Sequence, residues 1–167
     1  VGALVERLRN LVVDRQQGQL IIDSNVITHV ATFGVDVSAG ARNPVPNRPR
    51  PGSLIRFDKQ NTDLLYPGAV IQNNIIAFAG QGGIRFAGDN AAPNNAPTPY
   101  GRIINNTIYT GDTRTGVGVL VENTASPTIL NNIIANTTSA IQIGPGTNTP
   151  VIGSNLFHNN TTPTQAS

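Results

Sequence analysis

The chain has 167 residues, the length of one domain with a continuous core. Charged residues make up 12% of it, about half the usual share, and the formal net charge of +2 is too small to point to nucleic acid or an anionic membrane. There are no cysteines, which excludes disulfides and thiolate chemistry, and no apolar run approaches the roughly 20 residues that span a bilayer.

The chain starts at Val1 without a methionine and reads as a processed or excised piece of a larger protein. Residues 1–16 are expected to be an N-terminal cap or partial coil. Leu4, Leu8 and Leu11 have helical spacing, so Ala3–Asn10 reads as a short capping helix or as an irregular first coil. Leu11-Val12-Val13 followed by Gly18 reads as a strand of a preceding partial coil.

From 17 to 160 the motif Ile-x-x-Asn-x-(Ile/Phe) recurs five times, at Ile22–Asn25–Ile27, Ile71–Asn74–Ile76, Ile103–Asn106–Ile108, Ile129–Asn132–Ile134 and Ile152–Asn155–Phe157. The asparagines are 49, 32, 26 and 23 residues apart. A constant core whose period varies only by insertion signals stacked coils of about equal cross-section. The predicted fold is all-β, a single parallel β-helix of about five coils over 1–167.

Within one motif Ile71 precedes Asn74 by three and Ile76 follows it by two, so a bend at Asn73–Asn74 must reset the alternation of a strand. Asparagine tolerates the left-handed backbone such a bend needs. One asparagine per coil at the same bend would stack at the ~4.8 Å strand spacing, which predicts an interior ladder of Asn25, Asn74, Asn106, Asn132 and Asn155. Their neighbours Ser24, Asn73, Asn105, Asn131 and Ser154 are small and polar, as fits exposed bend positions.

A further strand follows each motif. Gly34-Val35-Asp36-Val37, Gly83-Ile84-Arg85-Phe86, Gly118-Val119-Leu120-Val121 and Ala140-Ile141-Gln142-Ile143 align as small–apolar–x–apolar. Alternation buries the apolar pair and turns Asp36, Arg85, Leu120 and Gln142 outward. Insertions come next, long at 38–67 and 88–100 and short at Glu122–Pro127 and Gly144–Pro150, which places all length variation at one corner. Ser53–Asp58 within the longest has strand character. Phe157–Ser167 is polar, carries no evident cap and is expected to be loose.

The pattern Ile-x-x-Asn-Asn-x-Ile, a short turn, then Gly-Ile-x-Phe or Ala-Ile-x-Ile resembles the right-handed parallel β-helix repeats of the pectate-lyase-like superfamily. It is most similar to those of bacterial surface and carbohydrate-associated proteins. The resemblance covers roughly Gly18 to Asn160. It implies an extracellular or cell-surface location and one of several activities, since members include lyases, hydrolases, epimerases, adhesins and inert stalks. In the family's lyases, Ca²⁺-binding acidic residues and a nearby basic residue project from one sheet. The family's hydrolases use clustered aspartates on neighbouring coils. The equivalent outward positions here are Asp36, Arg85, Leu120 and Gln142, so no catalytic set transfers.

The candidate ligand-binding residues are Asp36, Arg85 and Asp89 beside the long insertions, with Arg56, Tyr66 and Tyr100. Asp36, Arg85 and Asp89 form either a sugar-binding groove or a surface ion pair of small energetic weight. Tyr66 and Tyr100 close the insertions, as sugar-stacking platforms or as anchors of the loop ends. Arg42, Arg48, Arg50, Arg56 and Lys59 form a basic cluster, suited to an acidic polysaccharide or to a solvated linker. No cofactor is expected. Asp89-Asn90 through Asn94-Asn95 offers oxygens to Ca²⁺ but only one carboxylate. His29 and His158 have opposite parity and share no metal site.

Two functions follow. The first is a non-catalytic structural or adhesive module of a larger extracellular bacterial protein that contacts polysaccharide or cell-surface glycan and associates end to end. The alternative is a polysaccharide lyase, hydrolase or epimerase with a groove under 38–67 and 88–100.

Overall fold

A computed structural model describes residues 20–38, 69–88, 101–145 and 148–166. These form five coils of three short strands each. The first coil holds β1 (Ile21–Asp23), β2 (Val26–Thr28) and β3 (Phe33–Ser38), and the second β4 (Val70–Gln72), β5 (Ile75–Ala77) and β6 (Gly82–Ala87). The third holds β7 (Arg102–Ile104), β8 (Thr107–Tyr109) and β9 (Val117–Glu122), and the fourth β10 (Thr128–Leu130), β11 (Ile133–Ala135) and β12 (Ser139–Ile143). The fifth holds β13 (Val151–Gly153), β14 (Leu156–His158) and β15 (Thr162–Ala166).

Corresponding strands of successive coils pair in parallel, giving three five-stranded sheets in the orders β1-β4-β7-β10-β13, β2-β5-β8-β11-β14 and β3-β6-β9-β12-β15. The register follows the motif, with Ile22, Ile71, Ile103, Ile129 and Ile152 in one row and Ile27, Ile76, Ile108, Ile134 and Phe157 in another. With Ile84, Phe86, Val119, Val121 and Ile141 they fill the core. Each fully buried side chain of this size contributes about 1.5–3 kcal/mol.

The bend that splits the motif is left-handed at the residue before each ladder asparagine. Ser24, Asn73, Asn105, Asn131 and Ser154 have φ between 52° and 58° and are exposed. The ladder runs inside as expected, and it has a direction. In each of the first four coils the asparagine's backbone N–H and Nδ2 both donate to the Oδ1 of the asparagine in the next coil, at 2.9–3.0 Å. Nδ2 also reaches strand carbonyls, as Asn106 does to Ile71 O at 2.9 Å. Asn74, Asn106 and Asn132 are buried, while the terminal Asn25 is exposed and Asn155 half-buried. Buried amides so fully bonded carry little desolvation cost.

The small residue at the second position of β3, β6, β9 and β12 has a steric cause. A Cβ on Gly83 would lie 2.5 Å from Ile108 Cγ2, and one on Gly118 would lie 2.4 Å from Ile134 Cγ2. Ala140 is accommodated in the fourth coil, where the next coil carries Phe157, which lacks a Cγ2 branch, in the isoleucine row.

Two expectations are corrected. Residues 162–166 are not loose: they form β15, in register with β12, so the last coil runs to Ala166. The strand was hidden because Pro163-Thr164-Gln165-Ala166 replaces the small–apolar–x–apolar signature, although threonine suits a strand. Length variation is also not confined to one corner. In the third coil Thr110–Gly116 enlarges the bend between the second and third sheets, with Gly111 at φ 113° and Gly116 at φ 79°. The other coils turn there through a left-handed His29, Phe78, Asn136 or Asn159. The proposed helix at Ala3–Asn10, the partial coil at Leu11–Gly18, the strand at Ser53–Asp58 and all but the first residue of the insertions 38–67 and 88–100 lie outside the described residues, and Ser38 itself ends β3.

Candidate functional site

Two outward surfaces carry the side chains from which function can be read. On the third sheet, Asp36, Arg85, Leu120 and Gln142 form one outward row, because β3, β6, β9 and β12 pair in register there. Arg85 is clamped from both sides. Its Nη1 lies 3.1 Å from Asp36 Oδ1 on the coil before. Its Nη2 and Nε lie 2.6 and 2.7 Å from Glu122 Oε1 on the coil after. Partial burial alone would lower the Arg85 pKa, but the hydrogen bond with Glu122 and the two carboxylate charges outweigh it and raise it. The guanidinium is thus a permanent cation whose fork is directed at protein carboxylates.

Asp36 and Glu122 sit two coils apart, roughly 9–10 Å at the strand spacing, with Arg85 between them. Glu122 was not anticipated, because it ends β9 and in sequence opens a short loop. Of the other sequence candidates, Asp89, Arg56, Tyr66 and Tyr100 lie outside the described residues, as do Asp58 and the basic cluster Arg42–Lys59. Among the described residues no group of three or more His, Asp or Glu side chains is arranged to hold a metal.

The second surface is the outward face of the middle sheet. Val26, Ile75, Thr107, Ile133 and Leu156 lie in one row by register. Its four aliphatic members are 71, 49, 43 and 60% exposed. The next outward row reads Thr28, Ala77, Tyr109, Ala135 and His158, so Tyr109 stands between two alanines. At the corner beyond, His29 and Phe78 stack with centroids 4.9 Å apart, and Phe78 meets Tyr109 edge-on at 5.5 Å. His29 and Phe78 both have left-handed backbones, and for a residue as bulky as Phe78 that conformation is rare.

The Tyr109 hydroxyl donates to the carboxylate of Asp112, in the enlarged third-coil bend. That bond chiefly raises the phenol's pKa above its ordinary value. Asn159 Nδ2 donates to Asn136 Oδ1 at 2.8 Å along the same corner. The face therefore combines exposed aliphatic surface and an aromatic ring with a margin of carboxylate, amide and hydroxyl groups. His158 lies on this face and His29 at its corner, both exposed.

A family model described as a right-handed β-helix region matches residues 52–166. No curated protein and no solved structure matches the chain.

Proposed function

Because the chain belongs to the right-handed β-helix family, we propose that it is a non-catalytic adhesive module of a larger extracellular protein, with the outer face of the middle sheet contacting polysaccharide. The observation that carries this reading is the in-register row Val26, Ile75, Thr107, Ile133 and Leu156, aliphatic at four of its five places, beside Tyr109. A row of exposed aliphatic side chains on one sheet face suits an interaction site. Pyranose rings have apolar faces that suit such a surface, and their hydroxyls match the Asp112, Asn136 and Asn159 margin. The extracellular location rests on the fold class and on a surface of amides and hydroxyls in place of ions. The third-sheet clamp supports the non-catalytic part, since Arg85 stands between Asp36 and Glu122 where a substrate would need free charge.

Co-sedimentation with insoluble polysaccharides and a glycan array test the reading. The chain should bind, and Tyr109→Ala with Ile133→Ser should weaken binding at least tenfold while the circular dichroism is unchanged. Equal binding by that variant removes the middle-sheet face as the site. Release of sugar ends from polygalacturonate, alginate or carrageenan with added Ca²⁺ overturns the non-catalytic assignment.

A further inference from the structure

The asparagine ladder gives the coil stack a polarity, and its two ends are complementary. Within the stack each ladder asparagine offers an N–H and an Nδ2 proton forward and an Oδ1 backward. At the first coil Asn25 uses its N–H and Nδ2 as donors, and no donor among the described residues meets its Oδ1. At the fifth coil Asn155 Oδ1 accepts from Asn132, and Nδ2 donates to Ile129 O. Its backbone N–H meets no acceptor among the described residues. Among the described residues, one end thus lacks the partner that the other presents.

The apolar core ends in the same way. Ile22 and Ile27 at one end and Ile152 and Phe157 at the other are only partly covered, though they pack on the buried core. They occupy the same two rows that stack isoleucine on isoleucine through the molecule. The outer edges of β1 and β2 and those of β13 and β14 pair with no other described strand. Such edges template a further parallel strand.

We propose that the chain associates head to tail with copies of itself, the fifth coil's β13, β14 and Asn155 docking on β1, β2 and Asn25 of the next copy. The match is of donors to acceptor, of isoleucine rows to isoleucine rows, and of parallel edge to parallel edge. Only a partner with the same coil supplies all three at once. Docking is assigned to the first two sheets because Pro163 in β15 has no N–H to offer an incoming strand. The contact is heterologous, so it grows as an open series and does not close at two copies.

Sedimentation velocity of the 167-residue chain over a wide concentration range tests this. The expected result is a mass that rises continuously with concentration. Asn25→Leu removes the acceptor end and Asn155→Asp replaces the donor amide with a carboxylate; each should weaken association about tenfold. At concentrations where each variant alone is a monomer, an equimolar mixture should form a one-to-one dimer that grows no further. In it the intact fifth coil of one variant meets the intact first coil of the other. A strict monomer at the highest concentration overturns the proposal. So does a wild-type dimer that stops at two copies, which would indicate a two-fold contact through the middle sheet, or a mixture that stays monomeric.

Discussion

Replacing Asn106 by leucine, which has the same side-chain heavy-atom count and branching, tests the ladder at a fully enclosed rung. The Asn106 side chain accepts from Asn74 N and Asn74 Nδ2, both at 3.0 Å. Its two Nδ2 protons are shared among Ile71 O, Ile104 O and Asn132 Oδ1 at 2.9–3.1 Å. Leucine removes the two accepted bonds and both Nδ2 donors, and leaves the buried Asn74 N–H with no acceptor. At about 1 kcal/mol net for each bond, with unsatisfied buried groups costing more, the loss is about 4–6 kcal/mol, a large part of the stability of one domain. At the exposed terminal rung, Asn25→Leu removes two Nδ2 bonds, to Asp23 O and Asn74 Oδ1. It should cost about 1 kcal/mol. Urea denaturation of both variants beside the wild type, read as midpoint shifts at unchanged slope, measures the difference. Equal costs at the two rungs would refute the claim that burial of the ladder makes it stabilising.

Gly118→Ala should destabilise the chain by at least about 1–3 kcal/mol, because the new Cβ would sit 2.4 Å from both Ile134 Cγ2 and Ala140 O. A thermal midpoint within a degree of wild type would contradict the close approach. Arg85→Met should cost only about 1 kcal/mol and should make stability less sensitive to added salt, since the clamp it removes is partly exposed. Asp23 has a lowered pKa, chiefly from the side-chain hydrogen bonds of Asn73, then Gln72 and Ser24. Its contribution is therefore present above the ordinary aspartate range and is lost as pH falls through its lowered value. Asp23→Asn should flatten that part of the acid limb of a stability profile, and an unchanged limb would remove Asp23 as a cause.

The core of this fold was legible because stacking makes each coil a copy of the same physical problem. Five motifs that agree at isoleucine and asparagine, and at isoleucine or phenylalanine in the third place, located the ladder, the bends and both core rows. The small residues before Val35, Ile84, Val119 and Ile141 were visible as a pattern, but their collision with the isoleucine row required the third dimension. Glu122 was missed because its partner Arg85 is 37 residues away, and only the register of β6 and β9 shows them to be neighbours.

The outward middle-sheet row had a signal that went unused. Val26, Ile75, Thr107, Ile133 and Leu156 are the residues between asparagine and the second core residue in each motif, and four of the five are aliphatic. Alternation about a buried Ile27 or Ile76 places that position outside, so an apolar residue there is a surface choice. The aromatic corner was less readable. Phe78 and His29 stand where asparagine stands in two other coils, and only their stacking distance connects them to Tyr109. β15 was invisible to periodicity because Thr164 occupies the place of Ile141.

Amide hydrogen exchange by NMR, resolved at the asparagine backbone and side chains, tests the central claim that a directed ladder runs through the interior, with its first and last described rungs the least enclosed. Asn74, Asn106 and Asn132 should exchange slowly at both N–H and Nδ2, near the rate of global unfolding. Asn25 Nδ2 and the Asn155 backbone N–H should exchange orders of magnitude faster in the monomer and slow as concentration rises. Uniformly fast exchange of the three inner asparagines would contradict the account.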